Sequence, residues 1–278
     1  MRARHVTRAA ARSLVASLAL LPATAVAQAG GGAPARPITM LGGSTAHARG
    51  TLDAVSVGEG VAEVLVTLHV APGWHISWRN PGETGLPTRL LWSLPSGVAV
   101  TAERWPVPVV THTPVGVTHT LEGAVPWLVT LRTPVGMGAD RLVGVTLRYG
   151  ICRDVCIPEQ LTVQGEVPVR GGSVVPVSPA LRSRLVSEAP PVAGRRRSST
   201  SLCLDRPPGG SGPAEVIADT GTALDGAVRM RPSGRAALLT IPAAATPRHG
   251  TPLLFVRGTA AVSARLDLRA PAPGCGRR

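Results

Sequence analysis

Prolines and glycines interrupt this chain so often that long helices are excluded from much of it. The 278 residues include 27 prolines and 32 glycines, and prolines recur every few residues from 72 to 134. Proline removes a backbone donor and clashes with the preceding helical turn. Regular short strands separated by turn signals therefore predict an all-β antiparallel sandwich. The β-branched runs that carry this prediction are 61–70, 97–100, 126–135, 140–150 and 160–169.

The rest of the sequence divides by composition. A helix is predicted over 178–189, because Ser178 can cap its start and Pro179 suits its first turn. Stretches rich in proline, glycine and arginine follow it and predict a flexible connection. The predicted boundaries are a main β domain at 49–170, a helix and linker at 171–213, a possible second small β segment at 214–268 and a mobile tail at 269–278.

The first 27 residues have the composition of a cleaved export signal. Four arginines and no acidic residue stand before the apolar run 13–21, and Ala25-Val26-Ala27 supplies the small residues of a cleavage site. This run is too short to span a bilayer, and no later stretch reaches the roughly 18 apolar residues of a membrane helix. We therefore expect a periplasmic chain cleaved near Ala27, with a flexible segment at 28–48 and no transmembrane segment.

Positive charge is concentrated in the C-terminal third. All 29 basic residues are arginine; residues 195–278 contain 13 of them and five acidic residues, whereas 28–194 contain 12 and 11. Nucleic-acid sites interleave such charge with aromatic side chains, but 195–278 has a single aromatic residue, Phe255. We predict no nucleic-acid partner, and an anionic membrane surface or plain solvation explains the arginines better.

Two of the four cysteines, Cys152 and Cys156, lie close together in YGICRDVCIPEQ, residues 149–160. In one straight strand they would be about 13 Å apart, whereas the Cα atoms of a disulfide are usually about 4.4 to 6.8 Å apart. A bonded pair must therefore lie on a tight loop or a helical turn. So short a ring stabilises the fold by only about 2 kcal/mol. A disulfide that adds so little stability is better explained as a redox couple than as a structural bond. Strained or exposed disulfides are the ones that are readily reduced and reformed.

The other two cysteines, Cys203 and Cys275, would close a ring worth about 4.4 kcal/mol if they were bonded. Four cysteines allow three full pairings, and the sequence does not choose among them. We favour the Cys152–Cys156 pair and accept Cys203–Cys275, with an unpaired Cys275 in the tail as the alternative.

The neighbours of the short pair leave its reactivity open. Arg153 favours a thiolate and Asp154 opposes one, so the direction of the thiol pKa shift cannot be read from the sequence. Asp154 also suits a turn. Pro158 is expected to end the loop and begin the next strand at a sheet edge, and Glu159 is expected to be solvated.

Two other functions are compatible with these residues. One is a copper- or zinc-binding module, in which the thiol pair is joined by His69, His75, His112 or His119. The other is a non-catalytic interaction domain with a structural disulfide. Four tryptophans, Trp74, Trp78, Trp92 and Trp105, are expected to fill the core of the sandwich more than a docking surface.

Three motifs, in the right order, resemble the N-terminal extracytoplasmic domain of the DsbD and ScsB group of thiol:disulfide interchange proteins. YGICRDVCIPEQ resembles the thiol-pair motif of that family. GWHISWRNPGETGLPTRLLW (73–92) resembles its Trp-His, Arg-Asn-Pro-Gly and Gly-Leu-Pro pattern, and ERWPVP (103–108) its Trp-Pro element. The resemblance covers roughly 50–170. One departure is VGVTHTLEG (115–123), which has Thr118 and His119 where the family usually has a tyrosine.

This resemblance implies an immunoglobulin-like β-sandwich in which Cys152 and Cys156 alternate between dithiol and disulfide. It implies that Cys156 is the sulfur that attacks a partner, that Tyr149 packs beside the pair, and that a loop shields it, for which 76–84 and 112–122 are candidates. The exchange needs no cofactor. The implied partners are a separate membrane electron-transfer protein, since this chain lacks the family's membrane portion, and exported thioredoxin-like proteins.

Overall fold

The computed structural model describes residues 42–134, 141–167, 175–209, 213–218, 227–233, 236–241 and 247–275. The predicted export signal at 1–27 and residues 28–41 of the predicted flexible segment lie outside these residues. Among the described helices, none has the length and apolar character required to cross a membrane.

Ten strands form an antiparallel sandwich, which we call the N-terminal sandwich. One sheet has the strand order β1-β2-β8-β5, and the other has the order β10-β9-β3-β7-β6 with β4 beside β9. The predicted all-β, immunoglobulin-like sandwich is confirmed. The strands are β1 (Ala48–Gly58), β2 (Val61–Val70), β3 (His75–Gly82), β4 (Arg89–Ser93), β5 (Ala99–Arg104), β6 (Val109–Thr113), β7 (Gly116–Glu122), β8 (Ala124–Arg132), β9 (Arg141–Cys152) and β10 (Cys156–Val167).

Tryptophans occupy the centre of this sandwich. The Trp105 indole lies edge-on between Trp78 and Trp127, with ring centroids 6.1 and 5.8 Å away. All three side chains are buried. Trp74 and Trp92 are partly buried against the same core. The prediction that the tryptophans fill the core is therefore confirmed for Trp78 and Trp105, and in part for the other two.

The remaining strands form one sheet, which we call the C-terminal sheet. Its order is β11-β18-β12-β13-β16-β15-β14-β17, and β17 also pairs with β18. Its elements are α1 (Pro179–Ser183), β11 (Ser187–Glu188), β12 (Val192–Ser198), β13 (Ser201–Asp205), β14 (Ala214–Ala218), β15 (Ala227–Ser233), β16 (Ala236–Thr240), β17 (Pro252–Arg257) and β18 (Ala260–Asp267).

The helix predicted over 178–189 is shorter than expected. Ser178 caps it as predicted, because its Oγ accepts a hydrogen bond from the backbone N–H of Leu181. The chain then leaves the helix to pair with the N-terminal sandwich: the N–H of Val107 donates to the carbonyl of Arg184, and the N–H of Val186 to that of Trp105. These tertiary backbone bonds end the helix after one turn.

Part of the predicted linker at 171–213 is instead ordered sheet. The arginine-rich strand β12 lies between β13 and β18, with Val192 directed into a core that Leu202 and Leu204 of β13 share. Cross-strand pairing decides the structure here, and the composition did not reveal it. The predicted tail also differs, because Cys275 is buried and bonded to Cys203.

The N-terminal sandwich and the C-terminal sheet pack against each other. Ile217, Leu254 and Val256 of the sheet belong to the same apolar cluster as the sandwich core. The amide of Asn80 donates a 2.7 Å hydrogen bond to the carbonyl of Ala218. This contact fixes β3, one of the strands beside the cysteine pair, to the C-terminal sheet.

A buried histidine, His119, lies beside this contact. Its side chain is fully buried, its Nδ1 lies 2.8 Å from the carbonyl of Asn80, and its Nε2 has no hydrogen-bond partner in the described structure. Burial lowers the pKa of His119, and the Asn80 carbonyl, which raises it, offsets this only in part.

We expect acid to weaken the fold through His119. As the pH falls below about 6.5, the unfolded chain binds a proton at this histidine before the folded chain does. Stability should therefore fall by at most about 1.4 kcal/mol per pH unit until the lower folded pKa is passed. Urea unfolding at pH 7.5, 6.5 and 5.5 measures this slope. A His119→Gln variant should lose the His119 contribution; an unchanged slope in that variant would refute the assignment.

Candidate functional site

The two cysteines at 152 and 156 close the tip of the β9–β10 hairpin. Cys152 is the last residue of β9, Cys156 is the first of β10, and the two are directly paired across the strands. They form a disulfide with Cα atoms 4.1 Å apart. The loop between them contains only Arg153, Asp154 and Val155. The prediction of a bonded pair on a tight loop between strands is confirmed.

The two sulfur-bearing residues differ in exposure. Cys152 is 3% exposed, whereas Cys156 is an exposed residue. Exchange begins with attack along the disulfide axis on an accessible sulfur, so access decides which sulfur reacts with another protein. Cys156 is therefore the more accessible of the two residues to another molecule, and Cys152 is the less accessible.

The cysteines lie on the face of the sheet that points away from the sandwich core. Side chains alternate between the two faces of a strand, and directly paired residues share a face. Ile151 is completely buried in the core, and its neighbour Cys152 is therefore on the outer face. Cys156 is on this face too, because it pairs directly with Cys152.

A loop side chain covers the outer face beside the disulfide. A Cβ added to Gly150 would lie 2.8 Å from the Cβ of Leu86, so Leu86 rests directly on the Gly150 backbone. Gly150 precedes Cys152 by two residues and shares its face. The candidate shields 76–84 and 112–122 mostly form β3, β6 and β7; the contact beside the pair comes from Leu86, in the Gly-Leu-Pro element.

A Gly150→Ala substitution should therefore open this cover. The added methyl group requires Leu86 to move, and because Leu86 is 41% exposed on a loop, the loop can yield. We expect the Cys152–Cys156 bond to be reduced several-fold faster by dithiothreitol, with a loss of about 1 to 3 kcal/mol in stability.

Gly144→Ala is the matched control for this substitution. Gly144 lies on the same strand and face, but its added Cβ would meet only ordinary contacts, at 3.4 Å from Gln164 and 3.5 Å from Ser93. Mass spectrometry of alkylated samples follows the reduction rate. Equal rates in the two glycine variants would show that Leu86 does not shield the pair.

Tyr149 and Glu159 lie on the core-facing side of the hairpin, not beside the disulfide. They are directly paired, and the Tyr149 hydroxyl donates a 3.2 Å hydrogen bond to Glu159. Tyr149 is three residues from Cys152 in one strand, so alternation separates their faces. The implied packing of Tyr149 beside the cysteines is therefore not found. Burial raises the pKa of Tyr149 to about 12.

Glu159 is the centre of a polar cluster rather than a solvated residue. It also accepts a 2.6 Å hydrogen bond from the Thr45 hydroxyl, and its other oxygen lies 2.9 Å from Nδ1 of His47. Burial raises the pKa of the Glu159 carboxyl, but the bonds from Thr45, His47 and Tyr149 outweigh it and hold the pKa below its ordinary value. These bonds fix residues 45–47, which were expected to be flexible, to the hairpin.

Trp74 links this cluster to the loop between the cysteines. The His47 ring lies on Trp74 with centroids 4.0 Å apart, and the Arg153 guanidinium is 5.1 Å from the centre of the same indole. Arg153 also pairs with Asp154 at 3.2 Å, and both side chains are largely exposed. The contact between Arg153 and Trp74 restrains the loop that joins Cys152 to Cys156.

Asp154 and Pro158 are the remaining predicted site residues. Asp154 is at the exposed tip of the loop, and Pro158 is the third residue of β10, an edge strand where a missing backbone donor is tolerated. Within the described ranges, no three His, Cys, Asp or Glu side chains are arranged to hold a metal ion.

This chain is similar to one protein family and to a solved structure. Residues 51–168 match the family described as thiol:disulfide interchange protein DsbD, N-terminal. The crystal structure of the N-terminal periplasmic domain of ScsB from Proteus mirabilis is similar, with a TM-score of 0.58, 18% sequence identity, and coverage of 82% of this chain and 98% of that one. No curated protein matches the chain.

The similarity to the ScsB domain extends beyond the N-terminal sandwich. It covers 82% of this chain, which is a larger part than residues 51–168. At this identity it establishes the fold alone. The yeast GGA1 GAE domain also matches, with 10% identity, coverage of 47% of this chain and 98% of that one, and a TM-score of 0.29, which is too low to support an argument.

Proposed function

Because residues 51–168 of this chain belong to the DsbD N-terminal family of thiol:disulfide interchange proteins, we propose that Cys152 and Cys156 are a redox pair that exchanges disulfides with other proteins. The observation that carries this proposal is the asymmetry of the bond. One sulfur-bearing residue, Cys156, is exposed at a hairpin tip, and its cross-strand partner Cys152 is 3% exposed. A thiolate of another protein can therefore approach this disulfide from the side of Cys156.

The exchange proceeds in two displacements. In the reduced chain, the Cys156 thiolate attacks a sulfur of the partner's disulfide, and the partner's other sulfur leaves as a thiolate. The Cys152 thiolate then attacks Cys156, which reforms the Cys152–Cys156 bond and releases the partner's second thiolate. Two electrons pass to the partner, whose disulfide becomes a dithiol. Both steps use sulfur chemistry alone and need no cofactor.

The direction of transfer and the partners belong to the same proposal. The chain is proposed to be exported by the signal at 1–27 and to work in the periplasm. It would accept reducing equivalents from a membrane electron-transfer protein and deliver them to exported thioredoxin-like proteins. The family membership supports these partner classes, and the similar ScsB domain is a periplasmic one, which supports the proposed compartment.

Trapping tests the proposal in cells. A Cys152→Ala variant can form the mixed disulfide at Cys156 but cannot resolve it, so a covalent adduct with the partner should accumulate. Mass spectrometry of the adduct identifies the partner and the linked cysteine. A Cys156→Ala variant is the matched control and should trap nothing. The proposal is contradicted if neither variant forms an adduct, or if the adduct is joined through Cys203 or Cys275.

A further inference from the structure

A row of four chemically reactive side chains crosses the outer face of the cysteine-bearing sheet. Glu122 on β7 pairs with His75 on β3, His75 pairs with Cys152 on β9, and Cys152 pairs with Cys156 on β10. The pairings are direct in each case, so the four residues are neighbours across adjacent strands. Directly opposed residues of antiparallel strands have Cβ atoms about 4.5 to 5.5 Å apart.

The adjacent row shows which face these residues occupy. One position along each strand, Leu121 pairs with Ile76, Ile76 with Ile151, and Ile151 with Ile157. Leu121, Ile76 and Ile151 are buried in the sandwich core. Because neighbouring rows point to opposite faces, the row of Glu122, His75, Cys152 and Cys156 points outward. His75 is half-buried there and Glu122 is exposed.

We propose that His75 is the general base that removes the proton from the Cys152 thiol, and that Glu122 is the positioning residue that orients His75. This inference rests on the proposed redox function of the pair. It adds a proton-transfer residue that the exchange chemistry requires but that the two cysteines do not supply.

The burial of Cys152 is the reason that a base is needed. The thiolate is the nucleophile, and a buried thiol loses its proton less readily because the charged form is poorly solvated. Histidine is the side chain that exchanges protons near neutral pH. Glu122 pairs with His75 on the side away from Cys152, where its carboxylate can accept a hydrogen bond from the imidazole and orient the ring. Arg153 and Asp154 lie in the loop that follows Cys152, where they form a largely exposed ion pair with each other.

The proton moves between Cys152, His75 and the leaving sulfur. In the mixed disulfide, the Cys152 thiol gives its proton to the His75 imidazole. The resulting thiolate attacks the sulfur of Cys156, the Cys152–Cys156 bond forms, and the bond from Cys156 to the partner sulfur breaks. The partner leaves as a thiolate and takes up the proton from the His75 imidazolium. In the reverse direction, the same histidine protonates Cys152 as it leaves.

Glutathione disulfide is a suitable probe, because it forms a mixed disulfide with an accessible cysteine and needs no identified partner. The reduced full chain is mixed with glutathione disulfide and quenched with acid at intervals between pH 5.5 and 8.5. Mass spectrometry then separates formation of the adduct at Cys156 from its resolution by Cys152.

In a His75→Gln variant, we expect resolution at pH 7 to slow by about 100-fold or more, with adduct formation essentially unchanged. The difference between variant and wild type should shrink as the pH rises, because hydroxide replaces the lost base. Glu122→Gln should slow resolution by a smaller factor. His69→Gln is the matched control, since His69 is an exposed histidine on the other sheet and should leave both steps unchanged.

The outcomes separate the two proposals. If the wild type resolves its adduct and His75→Gln resolves it at the same rate with the same pH profile, the role of His75 is wrong and the redox function stands. If the wild type forms no adduct, the proposed function itself is wrong, and the role of His75 fails with it. A His75→Asn variant repeats the test where urea unfolding shows that His75→Gln has lost stability; wild-type resolution in a folded His75→Asn chain also overturns the role.

Discussion

A Cys156→Ser variant is expected to lose thiol–disulfide exchange almost completely. The serine is close to cysteine in shape, but its hydroxyl does not act as the attacking sulfur, and Cys152 is too buried to meet a partner directly. Exchange with a small disulfide should therefore fall to the uncatalysed background, by about 10³-fold or more. Stopped-flow measurement of thiol release from the reduced protein gives this rate.

The companion variant Cys152→Ser distinguishes the two cysteines. It keeps the exposed nucleophile, so it should react once with the disulfide reagent and then remain as the mixed disulfide. The assignment of roles would be reversed if Cys156→Ser formed a stable adduct through Cys152 while Cys152→Ser remained unreactive.

Removal of the second disulfide should have the largest effect on stability. Cys203 and Cys275 are bonded, buried, and separated by 72 positions. In the chain-entropy account, a bond that closes so long a segment stabilises the fold by about 4.4 kcal/mol. A Cys203→Ala, Cys275→Ala double variant should therefore lose about 4 kcal/mol of unfolding free energy, measured by urea titration, and should retain exchange at Cys156.

The matched comparison is the Cys152→Ala, Cys156→Ala double variant. Its missing ring is short, so the expected loss is only about 2 kcal/mol, whereas its exchange activity should be absent. This contrast assigns a structural role to one disulfide and a chemical role to the other. A larger stability loss from the short ring than from the long one would contradict that assignment.

Local features of the sequence predicted the part of the fold that local chemistry determines. The run 61–70 coincides with β2, and Ser178 caps a helix as expected. Strand rise and disulfide geometry limited a bonded Cys152–Cys156 pair to a tight loop or one helical turn, and the structure has the loop. Each of these features is decided within a few residues, where spacing and side-chain type are sufficient.

Long-range pairing explains what the sequence did not reveal. The arginine-rich strand β12 has its place because β13 and β18 pair with it, and β18 is about 70 residues later in the chain. Thr45 and His47 reach Glu159, more than 110 positions away. His75 was identifiable only as a possible metal ligand, because its place opposite Cys152 depends on the register of β3 against β9.

The equilibrium between the reduced and oxidised Cys152–Cys156 pair shows whether this disulfide is redox-active or structural. The oxidised chain is incubated in a series of glutathione and dithiothreitol buffers, and the fraction reduced at each cysteine is measured by alkylation and mass spectrometry. We expect a midpoint above about −300 mV for Cys152–Cys156, the range in which disulfides exchange with other proteins, and a lower midpoint for Cys203–Cys275. A midpoint far below about −300 mV for Cys152–Cys156 would show that it is a structural bond.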